Sequence, residues 1–349
     1  MSNVVSLGLP RRPSLAERQA VLLGNFARNR RKLDDVFWLK ENAEVLNVLA
    51  SSGAMLPDDA LEPYRRIYDG LEERLRFFPQ YYRFLLSICL DLEDLGIGKS
   101  KGAALCRWAV KAGLVEAELS DLQRAEAQRL LNRRGAGIED KPLRARLRSF
   151  MDRSETFALP NKKAAYELTH IVFYLSDYGL NDPQIGEDAI VSLEFAGLLA
   201  YLDQDVDLLA ETCVAMRFAG RRTSPIWEDW IAAQMGGFTL SARASGQADA
   251  YHEYLVTSWW ALFADRPSFP GTPQAAGLHI ARNAAGRSPL RAMSECMFHL
   301  GPARSSDWGR MRQAMSDAIG AEGEDILTGA EQSSERFDAF FEGFSRADM

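Results

Sequence analysis

Apolar residues recur every three or four positions along nearly the whole chain, and period-two runs of Val, Ile and Thr are almost absent. That spacing predicts amphipathic helices and an all-α fold class. Short connections between successive helices imply stacked antiparallel helical hairpins, closing into an (α/α) toroid or curving as a solenoid. The breaks are chemically marked. Ser14 and Glu17 form an S-x-x-E capping box that starts a helix reaching about Arg31. Asp34 opens a second helix that stops at Gly53, and Pro57 opens a third with Leu61, Tyr64, Ile67, Tyr68 and Leu71 on its apolar face. Pro79 divides that helix from YYRFLLSICLDLEDLG. KGAALCRWAVKAG and AELSDLQRAEAQRLLNRRG read as a hairpin, and further helices follow up to ERFDAFFEGF, where Phe337, Phe340, Phe341 and Phe344 supply an apolar docking face. No fixed repeat period is found, which counts against a regular repeat protein. GGFTLSARASGQ and DRPSFPGTPQAAG are the longest stretches expected to be non-helical, in the position of lids or rims.

Glycines and charge divide the chain into a disordered start (1–13), an N-terminal helical part (14–135), a basic connecting segment (136–160) and a C-terminal helical part (161–349). Between Arg129 and Lys163 there are ten Lys or Arg against four Asp or Glu, the pattern of a solvated linker or, if the cations converge, an anion site. From Asp317 onward nine acids face two arginines. With 47% hydrophobic residues in 349, the chain can bury a full core, and a net charge of -7 excludes a chain-wide nucleic-acid or anionic-membrane binder. Cys89, Cys106, Cys213 and Cys296 lie far apart, as reduced cytoplasmic thiols do. No leader-like start and no long apolar run is present, so the expectation is a cytoplasmic protein that neither crosses a membrane nor binds nucleic acid.

Candidate chemistry centres on the histidines. Only four occur, and His170, His252 and His299 fall inside helical, largely apolar segments. Spacings of four, four and three residues set Tyr166, His170, Tyr174 and Asp177 on one stripe. Burying an imidazole and a carboxylate requires partners: each other, another helix, a metal or a ligand. His252 is surrounded by Tyr251, Glu253 and Tyr254, and shares a helix face with Trp259. Cys296 and His299, three residues apart, have a spacing that can chelate one metal from one helix. Glu194, flanked by apolar residues, reads as a general base or as the ion-pair partner of Arg217. Asp91, Glu93 and Asp94, and Asp203, Asp205 and Asp207, are acidic groups without the DDxxD arrangement of magnesium-diphosphate enzymes. Asp205 or Asp207 is more simply a helix N-cap. GIGKSKG lacks P-loop spacing and reads as a turn with a cap at Ser100, and no nucleophile elbow, HExxH or kinase signature is present.

AYELTHIVFYLSDYG, SLEFAGLLAYLDQDVDLLAETCVAMRFAG and AYHEYLVTSWWALFA resemble segments of uncharacterised helical bacterial proteins, alphaproteobacterial among them, grouped as a domain of unknown function. The resemblance covers roughly residues 160 to 262; it implies a helical fold and assigns no activity. Two functions therefore stand side by side. One is a small-molecule enzyme using acid-base or metal-assisted chemistry, with His170, Asp177, His252 and Glu194 as catalytic candidates. Tyr166, Tyr174, Tyr251 and Trp259 would then bind the ligand, and His170, His252, Cys296 and His299 would offer ligands to a divalent metal. The other is a non-catalytic helical scaffold or protein-interaction module whose histidines complete the core.

Overall fold

The computed structural model describes residues 13–98, 101–137, 140–242, 249–283 and 288–347. The expected disordered start, apart from Pro13, and the expected cap at Ser100 lie outside them. Among the described residues the chain forms seventeen α-helices and two short strands. None of these helices is long and apolar enough to cross a membrane.

The first helix, α1 (Leu15–Arg28), begins on the predicted capping box: Ser14 Oγ accepts from the Glu17 N–H, and Glu17 Oε2 accepts from the Ser14 N–H. It ends at Arg28, short of the expected Arg31, with Asn29 as its C-cap and Arg30 in a buried ion pair just beyond. In α2 (Val36–Ser51) the Asp35 carboxylate caps the Phe37 N–H. The single helix expected after Pro57 is instead a 3-10 turn followed by α3 (Arg65–Asp69) and α4 (Leu71–Phe77). Gly70, a poor helix former, sits at the break. The apolar face was nevertheless legible, since Leu61, Tyr64, Ile67, Tyr68 and Leu71 are all buried. Next come α5 (Tyr82–Asp94), which packs on α2, then α6 (Gly102–Lys111) and α7 (Asp121–Asn132).

The stretch read as a basic connecting segment contains α8 (Lys141–Met151) and α9 (Ser154–Phe157). Leu143, Leu147 and Met151, spaced by four, bury one face of α8, while Arg144 and Arg146 stay outside. The density of cations masked an ordinary amphipathic helix.

The second half consists of α10 (Lys162–Leu175), α11 (Glu187–Leu202), α12 (Val206–Phe218), α13 (Pro225–Met235), α14 (Tyr251–Phe263), α15 (Leu290–Leu300), α16 (Trp308–Ser333) and α17 (Phe337–Ser345). α16 bends at Gly320, whose φ of 68° is left-handed. The four phenylalanines of α17 are buried as expected. The first insertion is not wholly irregular: it contains β1 (Phe238–Ser241), which pairs antiparallel with β2 (His279–Arg282), just after the second insertion, Phe238 opposite Arg282 and Ser241 opposite His279. Partners so distant in sequence leave no local signature.

At the centre, α12 packs against α10, α11, α13 and α14, and α14 also packs on α2. Arg30 braces the same junction. Its guanidinium donates to Glu41 at 2.9 Å and to both oxygens of Asp249 at 2.7 and 2.9 Å, while Asp249 accepts from the Ile280 N–H. Helices from both halves of the chain thus meet at one place.

Candidate metal centre

Three helices bring side chains to that junction. The Asn161 and Asp205 carbonyl and carboxylate oxygens cap α10 and α12 by accepting from Ala164 N–H and Leu208 N–H. Asp205 is therefore the N-cap of its helix, and this frees Asp207, two residues on, to face α10 and α14. Asp207 and Glu211 are four apart on α12 and share a face. Donor atoms of Asp207, Glu211 and His252 lie within 4.8 Å of one another.

Each donor is held from behind. His252 Nδ1 donates to Asp207 at 2.8 Å, and Asp207 Oδ2 accepts from the Tyr166 hydroxyl at 2.8 Å. Glu211 accepts from Thr169 Oγ1 at 2.7 Å. His170 Nδ1 donates to the Tyr166 carbonyl one turn back, at 2.8 Å, which leaves Nε2 unprotonated when the ring is neutral. On the far side, His252 Nε2 lies 3.9 Å from Glu44 Oε1, and Tyr251 donates to the other Glu44 oxygen at 2.9 Å. The His252 side chain is 33% exposed and that of Asp207 14%, so the cluster is reachable from solvent, whereas Glu211 is buried.

The electrostatics follow from this arrangement. Burial pushes the Asp207 carboxyl up, but the charge and hydrogen bond of His252, with help from Tyr166 and His170, outweigh it, and the net shift is downward. Burial dominates at Glu211 and raises it, against opposing pulls from His170 and His252. For His252 burial favours the neutral ring, yet Asp207, Glu44 and Glu211 together push its pKa up to about 10. Burial, followed by the Asp207 charge, raises the Tyr166 phenol.

A pH test follows for protein kept in the presence of a chelator. The folded pKa of His252 exceeds its ordinary value of about 6.5, so its stabilising contribution is complete below that pH and is lost as pH rises through 10. Its imidazole resonances in NMR should titrate near that upper value, and in Asp207→Asn they should titrate well below it. An unshifted wild-type titration would break the assignment.

The sequence-based candidates divide into three groups. Tyr166, His170, Tyr251 and His252 are gathered around the cluster. Tyr174 and Trp259 stand in the aromatic wall beside it: the His170 and Tyr174 rings are 6.0 Å apart, the Phe173 and Trp259 rings 5.0 Å, and Trp259 donates to Ser51. The rest lie elsewhere. Asp177 follows the end of α10 with a φ of 47°, off the helical stripe, and pairs with Arg129 at 2.8 Å rather than orienting His170. Glu194 meets Ser334 at 3.0 Å and Arg336 at 3.4 Å, not Arg217, whose partner is Glu228. Cys296 donates to the Ala314 carbonyl and His299 is exposed, so the structure does not bring this pair to the cluster.

Sequence reading passed over Glu211 and set Asp207 aside as a helix N-cap, the role that Asp205 fills. Their signal was an i, i+4 carboxylate pair in the apolar run VDLLAETCVAM. The other acidic group is occupied by arginines: Asp91 pairs with Arg133, Glu93 with Arg134, and Asp94 with both. A cavity of about 350 Å³ is lined by Lys162 and Ala165 of α10, Leu199 of α11, Leu208 of α12 and Leu290 of α15.

No curated protein and no solved structure shows significant similarity to the chain. A family model does match it, over residues 1–347, and so reaches well beyond the segment from 160 to 262 that carried the resemblance. The chain belongs to the family described as a domain of unknown function, DUF6902.

Proposed function

We propose that Asp207, Glu211 and His252, with His170 beside them, bind one divalent first-row transition cation and that the centre serves metal-assisted chemistry on a small molecule. The observation that carries this reading is the convergence of two carboxylates and an imidazole within 4.8 Å, one carboxylate being buried without a lysine or arginine partner among the described residues. Imidazole and carboxylate together suit zinc, iron, manganese or cobalt. A bound cation of this kind supplies Lewis acidity and an acidified water.

The residues around it have separate tasks. Tyr166 and Thr169 hold the carboxylates in place, and the Tyr166 carbonyl sets the His170 tautomer. Glu44, with one oxygen tied to Tyr251 and the other directed at His252, is placed to accept a proton at the open side. This proposal drops Asp177, Glu194, Cys296 and His299 from the site.

Elemental analysis of untagged protein, followed by titration of the stripped protein with cobalt(II), tests the reading. The expected result is one equivalent of bound cation, with a visible cobalt spectrum that shifts on removal of the His252 imidazole. Absence of stoichiometric binding by zinc, cobalt, manganese and iron alike would overturn it in favour of a non-catalytic scaffold, with His252 and Asp207 as a structural ion pair.

A further inference from the structure

On the N-terminal half, well apart in sequence from the cluster, a groove of about 700 Å³ runs between the α1–α2 connection and α4. Three of its lining residues are large and apolar yet open to solvent: Val36 is 41% exposed, Phe77 75% and Phe78 40%. Isolated exposed apolar residues need no explanation, but two adjacent phenylalanines at the lip of a concavity do. The Phe77 and Phe78 rings contact each other edge to face, 4.7 Å apart, so the lip is a built aromatic projection beside a hollow.

The walls differ in charge. Asp34 and Asp35 stand on one; Arg66 and Arg74 stand on the other, with Glu73 between them. Asp35 is engaged in capping α2. Asp34, Arg66 and Arg74 have no ion pair or side-chain hydrogen bond among the described residues. The surface therefore offers a projection, a hollow and uncompensated charge of both signs.

We infer that this groove is a self-association surface that receives a second copy of the same chain about a two-fold axis. An isologous contact requires one patch to be complementary to itself. Here the Phe77 lip of each copy fits the hollow of the other, and the acidic wall of one copy meets the basic wall of its mate. A partner of a single charge sign would leave one wall uncompensated, and a purely apolar partner both.

Sedimentation equilibrium of the full chain over a wide concentration range tests this. Wild type should move from the monomer mass of 39.0 kDa toward twice that value. Phe77→Asp should weaken association by about tenfold or more, the loss expected when a central aromatic contact is removed. Asp34→Arg alone, or Arg66→Glu with Arg74→Glu, should also weaken it, and combining all three reversals should restore it. Circular dichroism of each variant verifies folding, which Phe77 and Asp34, both at the surface, do not support. A wild type that stays monomeric at the highest concentration overturns the inference. So does a dimer indifferent to Phe77→Asp, or a triple reversal no better than its parts.

Discussion

Glu211→Gln and Asp207→Asn should each lower the affinity for a transition cation by about a hundredfold or more, since loss of the groups that merely support metal ligands already costs about 10–100-fold. Both changes preserve side-chain size and keep a hydrogen-bond acceptor for Thr169 or Tyr166, so the packing of α12 is retained while the negative charge is removed. Glu211 is the sharper test. It is buried and its carboxyl is raised by that burial, so the neutral amide should leave the stripped protein at least as stable as wild type. Thr169→Val and Tyr166→Phe, which loosen rather than delete a ligand, should cost about tenfold. Glu194→Gln should change nothing, because Glu194 is held by Ser334 and Arg336 away from the cluster. Calorimetric titration with zinc or cobalt reads all five. Equal affinity in wild type and Glu211→Gln would exclude the carboxylate as a ligand.

The second large effect belongs to Arg30. Replacing it with Met should reduce the free energy of unfolding by about 3–5 kcal/mol, the cost of removing one partner from a buried charge cluster. The side chain is fully buried, and its two carboxylate partners, Glu41 and Asp249, are each 1% exposed. Asp249 would keep the Ile280 and Tyr251 N–H groups, and Glu41 would keep Arg31, so neither charge is entirely deserted. What disappears is a cation that joins α1 and α2 to the start of α14. Phe26 and Tyr251, whose rings flank the guanidinium at 4.9 and 5.0 Å, would lose that contact too. Urea unfolding measures the change. A loss below about 1 kcal/mol would mean that the cluster's desolvation cost had already cancelled its attraction.

The same junction carries the candidate centre. Tyr251 reaches Glu44 from the first turn of α14, and Glu44 lies on α2, so the N-terminal half contributes to a site whose principal donors come from α12 and α14. Arg30→Met should therefore also weaken cation binding modestly through the position of His252, even though Arg30 is not a ligand.

Much of this protein was legible in its order of residues, because helix formation is governed by local spacing and by caps within a few positions. The Ser14 and Glu17 box, the buried faces of α3 and α4 and the four buried phenylalanines of α17 all follow from such short-range rules. The choice of His170 and His252 as unusual residues followed from the cost of placing imidazoles in apolar helices, and the two are gathered at one junction. Pairings across long sequence separations are set by packing, and that is where spacing misled. Asp177 shares a stripe with His170 only if α10 continues, and α10 stops at Leu175. Glu194 and Glu211 look alike in sequence, each a carboxylate among apolar neighbours, yet one faces Arg336 and the other faces a cluster with His252. The strand pair β1–β2 depends on partners about forty residues apart. Which apolar helix lies beside which is decided by the summed fit of many side chains, and only that fit determines whether a buried carboxylate meets an arginine or a histidine.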